Sequence, residues 1–151
     1  MSDSSRQTML VRRFVEAVLN GRDYAAIDEL FADDFVLHLP GMPAIQGRDA
    51  FRQSLGGLHA AFPDLRFTIL ELFGDGDKVA GRWAIDGTHE AELWGIAATG
   101  RRARWTATDI FRIEHGRIAE NTPEEDILGL MRQLGVVPQA DKPENVNEAR
   151  L

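Results

Sequence analysis

Apolar residues at Met9, Leu10, Phe14, Ala17 and Val18, with Val11, Val15 and Leu19 on the adjoining stripe, recur at helical spacing. They predict a largely buried helix that ends near Asn20-Gly21. A short second helix is predicted over residues 24–31, with Asp23 as N-cap and Ile27, Leu30 and Phe31 on one side. Ala32-Asp33-Asp34 reads as a break. Residues 35–39 then read as a brief strand that carries His38 and stops at Pro40-Gly41-Met42-Pro43, where proline withholds a ladder donor and glycine allows a reversal. A third helix is predicted over about residues 48–61, turning Phe51, Leu55, Leu58 and Phe62 inward across Gly56-Gly57.

Beyond Asp64 the period changes from 3.6 to two. Residues 65–73, 79–90 and 101–113 alternate as strands, separated by turns at Gly74-Asp75-Gly76-Asp77 and Glu114-His115-Gly116, and a last strand covers 117 to about 121. Thr122 and Glu125 then fit a capping box with Pro123 at the first helical position, followed by Ile127, Leu130, Met131 and Leu134 on one helix face and Gly135 as the stop. Helices first and an antiparallel meander afterwards predict an α+β fold with helices on one face of a curved sheet. The expected organisation is one domain over residues 1–135 and a polar arm over 136–151.

Length and composition narrow the function. The chain has 151 residues, enough to bury roughly two-thirds of its unfolded surface in one core. It has no cysteine, which excludes thiol nucleophiles, disulfides and thiolate metal sites. Acidic residues number 24 against 17 basic ones, so a broad face for nucleic acid or anionic membrane is not expected. No run reaches the roughly 20 apolar residues of a membrane span, and the first residues lack a leader pattern, so a cytoplasmic location is expected.

What is left is acid-base chemistry in an apolar pocket lined by aromatic residues such as Trp83, Trp105 and Phe111. Strand alternation puts Asp109 in phase with Ala103, Trp105, Ala107 and Phe111. A carboxyl on that face is either a tied-down structural group or a general acid or base with a raised pKa. His89 falls in phase with Trp83 and Ile85, as a proton shuttle or as a satisfied core imidazole. Asp126 is either one more first-turn acid or a carboxyl ending the last strand. His38 and His59 lie far apart, and no metal-ligand spacing, phosphate loop or nucleophile elbow occurs.

The chain resembles the SnoaL-like polyketide cyclases, a family of the nuclear transport factor 2-like superfamily. The resemblance spans about residues 10–135. It rests on AAIDELFADDFVLH, AFPDLRFTI, GDGDKVAGRWAIDGTHEAELWGIAATGRR, DIFRIEHGRIAEN and DILGLMRQLG, in that order. It implies a cone-shaped, strongly curved, mostly antiparallel sheet under three N-terminal helices, an internal pocket for a small hydrophobic substrate, and a homodimer. It also implies ring closure of a polyketide-like metabolite by an intramolecular aldol step without a metal or organic cofactor. In the family's Glu-His-Trp-x-x-x-Asp pattern the last carboxylate is the base, which carries over to Asp126, and His89 matches the family's Gly-Thr-His element. Asn121 and Thr122 stand where the pattern has His-Trp, which opens the pocket. If that segment stays a strand, Thr122, Glu124 and Asp126 share a face, and Glu124 becomes a second pocket carboxyl. The expected catalytic set is therefore Asp126, His89, Asp109 and Glu124, with substrate contacts from His38, Trp83, Trp105, Phe111 and Thr122. Two carboxyls would also suit opening of an epoxide, and the same cone could serve as a non-catalytic binding module or a scaffold with a degenerate pocket.

Overall fold

The computed structural model describes residues 1–138, so the expected arm lies almost wholly outside the described residues. Helix α1 (Asp3–Arg13) begins at Ser2, whose side chain accepts from the Ser5 amide. It runs without interruption into a wider π-helical stretch, Phe14–Asn20, that buries Phe14, Val15, Val18 and Leu19. The helix ends at Gly21, as its sequence predicts. Its last side chain reaches the sheet: Asn20 donates to the Phe67 carbonyl at 3.0 Å and accepts the Phe67 amide at 2.8 Å. That exchange satisfies backbone on the free edge of a strand whose other edge pairs with Ile85 of its neighbour.

The second helix is shorter than its sequence suggests. A 3₁₀ turn (Tyr24–Ala26) precedes α2 (Ile27–Leu30), and the Asp23 side chain makes no capping bond. Strand β1 (Phe31–Leu37) starts at once, so Ala32-Asp33-Asp34 is not a break but an irregular stretch where β1 changes register against its neighbour. A two-residue strand β2 (Ile45–Gln46), absent from the sequence reading, pairs with β1, and α3 (Arg48–Ala61) follows with the expected bounds.

The meander comprises β3 (Arg66–Asp75), β4 (Lys78–Thr88), β5 (Arg102–Glu114) and β6 (Arg117–Glu125), closed by α4 (Ile127–Gln133). Strand order is β2-β1-β6-β5-β4-β3, antiparallel except for the parallel β1–β6 pair. The sheet is curved and unclosed, and the fold is α+β as expected, with four α-helices rather than three among the described residues. None of these helices is long and apolar enough to cross a membrane.

Helices and sheet meet in an aromatic cluster. Phe31 packs against Phe14 and Phe35 with ring centroids 4.9 and 4.8 Å apart, and Phe35 meets Phe51 at 5.0 Å. Phe111 joins them, 6.0 Å from Phe14 and 5.9 Å from Trp83. These rings fill one end of the space between the layers. The other end is a cavity.

Candidate functional site

The cavity, of about 410 Å³, lies between α3, the end of the π-helical stretch and the inner face of β4, β5 and β6. Its walls are mostly apolar: Leu19, Leu37, Phe51, Leu55, Phe67 and Leu130 contribute, with Trp83 and Trp105 from the sheet. Among the polar lining residues are Asp109, Asn121, Glu125 and Glu92, and among the described residues no lysine, arginine or histidine lines it.

Asp109 is 7% exposed, on the inward side of β5 as its phase predicts. The Trp83 indole N–H donates to its Oδ1 at 3.2 Å. That contact depends on Gly81, which lies two residues before Trp83 on β4 and directly opposite Asp109 across the ladder. A methyl group at Gly81 would overlap the six-membered ring of Trp83, so the glycine leaves the space over which the indole folds back to the carboxyl. Burial raises the Asp109 pKa from 3.8 to about 7, against the opposing hydrogen bonds of Asn121 and Trp83 and with help from the nearby Glu125 charge.

Glu125 repeats the arrangement one strand over. Its Oε2 accepts the Trp105 indole N–H at 3.1 Å. One side of Glu125 is open to solvent and the rest is enclosed by protein, and that enclosure raises its pKa above 4.5, with the indole bond pulling the other way. Asn121 lies between strand neighbours at the same floor; its Oδ1 is buried without a hydrogen-bond partner and is free to accept from a bound molecule.

A bulge hides Glu125 from the strand periodicity. Arg112 pairs with Glu120 but Ile113 pairs with Ile118, so Ala119 is an extra residue in β6. The inward face therefore switches from Ile118 to Asn121 and Pro123, and Glu125, though exposed at the strand's end, continues that phase and lines the cavity mouth. The segment does stay a strand, which displaces the expected capping box, but Thr122 and Glu124 point outward, opposite the exposed Ile110 and Thr108. Neither reaches the cavity. Pro123 is tolerated inside the strand and pairs with Asp109.

Asp126 is not on the cavity wall. It is the N-cap of α4, with Oδ1 accepting the Gly129 amide at 2.9 Å. His89 is fully buried but also absent from the wall. Its Nδ1 lies 3.0 Å from Thr99 Oγ1 and accepts the Thr99 amide at 3.2 Å, which leaves the proton on Nε2. With the backbone pairs His89–Arg101 and Gly100–His89, the imidazole clasps the base of the β4–β5 loop. At the loop's tip Leu93 and Ile96 pair around Trp94 and Gly95, both at positive φ (51° and 81°), and Trp94 lies on the cavity wall while 54% exposed. His38 is outside as well: it alternates with the lining residues Leu37 and Leu39, and Nε2 meets Glu120 at 3.0 Å on the solvent side. Phe111 is core rather than lining. Of the expected residues, Asp109, Trp83 and Trp105 come together; Asp126, His89, Glu124, His38, Thr122 and Phe111 do not.

Comparison with known proteins adds to this geometry. The family model described as SnoaL-like polyketide cyclase matches residues 9–134. The aklanonic acid methyl ester cyclase DauD of Streptomyces sp. strain C5 is 34% identical over 87% of this chain and 83% of its own. The aklanonic acid methyl ester cyclase DnrD of Streptomyces peucetius is 33% identical over 87% of this chain and 92% of its own. The crystal structure of TsrD from Streptomyces laurentii superposes with a TM-score of 0.81 at 30% identity, covering 91% of this chain and all of that one.

Proposed function

Because the chain belongs to the SnoaL-like polyketide cyclase family, we propose that it closes a ring in a polyketide-like metabolite by an intramolecular aldol step, with Asp109 as the principal acid/base. The observation that carries this reading is a deep carboxyl with a pKa near 7 on the wall of an apolar cavity of about 410 Å³. Aldol closure removes a proton from carbon beside a carbonyl, lets the enolate attack a second carbonyl carbon, and delivers a proton to the new alkoxide. No atom is gained or lost. A carboxyl present in both protonation states at neutral pH is suited to these transfers, and apolar walls keep water from competing.

The reaction needs no metal or organic cofactor on this reading. The homodimer and the cytoplasmic setting belong to the same proposal and rest on the family resemblance alone. The substrate class follows from the two Streptomyces relatives, so aklanonic acid methyl ester is the first compound to offer. Mass spectrometry of the reaction should find an isomer of unchanged mass. A gain of one water would replace the proposal with hydrolytic opening of an epoxide, and retention of the compound without conversion would replace it with a binding module.

A further inference from the structure

Asp109 faces a second carboxyl, and the register fixes how near. Its direct partner across the β5–β6 ladder is Pro123, which makes Glu125 the diagonal neighbour on the same inward face. Diagonal positions of an antiparallel pair stand roughly 7–8 Å apart, within reach of two carboxylate side chains that share a cavity. Each is held by an indole from a neighbouring position, Trp83 to Asp109 and Trp105 to Glu125. We propose that Asp109 and Glu125 are a catalytic pair that shares one proton, with Glu125 taking the proton from carbon and Asp109 delivering one to oxygen. This inference rests on the cyclase reading above and divides the labour within it.

The assignment of roles follows from depth and from the neighbours each group faces. Among the described residues no cation lines the cavity, and the one other acidic lining residue, Glu92 on the β4–β5 loop, is turned to the Gly95 amide. The polar residues that α3 turns to the wall are the neutral Gln53 and Ser54, and α4 contributes Leu130. Two negative charges at that separation in an apolar wall repel, and the neutral indole and amide donors beside them offset this only in part, so one proton is retained at neutral pH. Asp109 is the deeper and drier of the two and keeps it. Glu125, open to solvent on one side, is the one ionised.

In the step itself the Glu125 carboxylate takes the proton from carbon, the C–H electron pair becomes the enolate, and the enolate forms the new C–C bond. The carbonyl oxygen gains the electron pair of its broken π bond and receives the proton of Asp109. Glu125 is then neutral and Asp109 ionised. After product leaves, the proton passes from Glu125 to Asp109 through the cavity, and the cycle closes with no net uptake.

Side-chain carboxyl ¹³C NMR of the full chain labelled at Asp and Glu tests the shared proton without any substrate. Glu125 should titrate below Asp109, and Glu125→Gln should lower the Asp109 midpoint because the neighbouring charge is gone. Steady-state kinetics on aklanonic acid methyl ester test the roles. Wild type should show a bell in kcat/KM against pH; Glu125→Gln should lose 10²-fold or more, on the order expected for a general base, and lose the acid-side limb, with Glu125→Asp recovering part of the rate. An Asp109 midpoint that does not move in Glu125→Gln, or a Glu125→Gln enzyme within two-fold of wild type, overturns the pair. If Asp109→Asn is inactive while Glu125→Gln is not, only the pair falls; if both variants keep full turnover, the cyclase assignment of Asp109 falls with it.

Discussion

The Trp83 indole N–H and the Asp109 carboxylate meet at 3.2 Å in the interior, across a ladder position where β4 has a glycine. An indole donor favours the charged form of the carboxyl and burial favours the neutral one, so the balance between them sets where this group titrates.

Gly81→Ala tests that balance. The added methyl group displaces the Trp83 ring, and Asp109 loses a bond that holds its pKa down. The alkaline limb of kcat/KM should move to higher pH, and stability should fall by about 1–3 kcal/mol from overpacking. Chemical denaturation and a pH-rate profile on the same variant measure both.

Stability should itself depend on pH through Asp109. Its folded pKa of about 7 lies above the unfolded value, so the folded state binds the extra proton between these values. The stabilisation is full below the unfolded pKa and is lost as pH rises through about 7. Relative to Asp109→Asn, wild type should lose about 3 kcal/mol between pH 4 and pH 7. Urea melts of both proteins across that range read the difference; parallel curves would contradict it.

Asp126 caps α4 and is not among the lining residues, so its substitution should act on folding rather than on chemistry. Asp126→Ala removes the cap of α4 and should cost about 1 kcal/mol, while Asp126→Asn, itself a good cap, should cost little. Both should turn over substrate at close to the wild-type rate, checked by thermal melts alongside steady-state assays.

Trp94 should contribute to binding. It stands at the cavity with its backbone in the left-handed region, a conformation that costs free energy and that the His89–Thr99 clasp supports from below. Trp94→Ala should raise KM roughly 2- to 10-fold, the worth of one aromatic contact, and leave kcat within about two-fold.

Much of this was legible in the chain. The 3.6-residue period marked α1 and α3, whose bounds at Arg48 and Ala61 agree with the sequence, and the two-residue period put Trp105 and Asp109 inside. What stayed hidden depends on contacts between strands. One extra residue at Ala119 reverses the phase of β6, and no periodicity within a single strand reveals a bulge that exists only against its neighbour. The same slip moved the second carboxyl from Glu124 to Glu125. His89 is inward, as its strand phase predicts, but the alternation that buries a side chain does not distinguish a cavity wall from a loop clasp. Gly81 is a signal within the sequence itself, since a glycine inside a strand often marks close approach of a neighbouring group.

The most direct measurement is the single-turnover rate of Asp109→Asn beside wild type on aklanonic acid methyl ester, following the isomer of unchanged mass. The account predicts a rate about 10²- to 10⁴-fold lower with substrate still bound and the fold intact by circular dichroism. A variant that forms the isomer at the wild-type rate would contradict it.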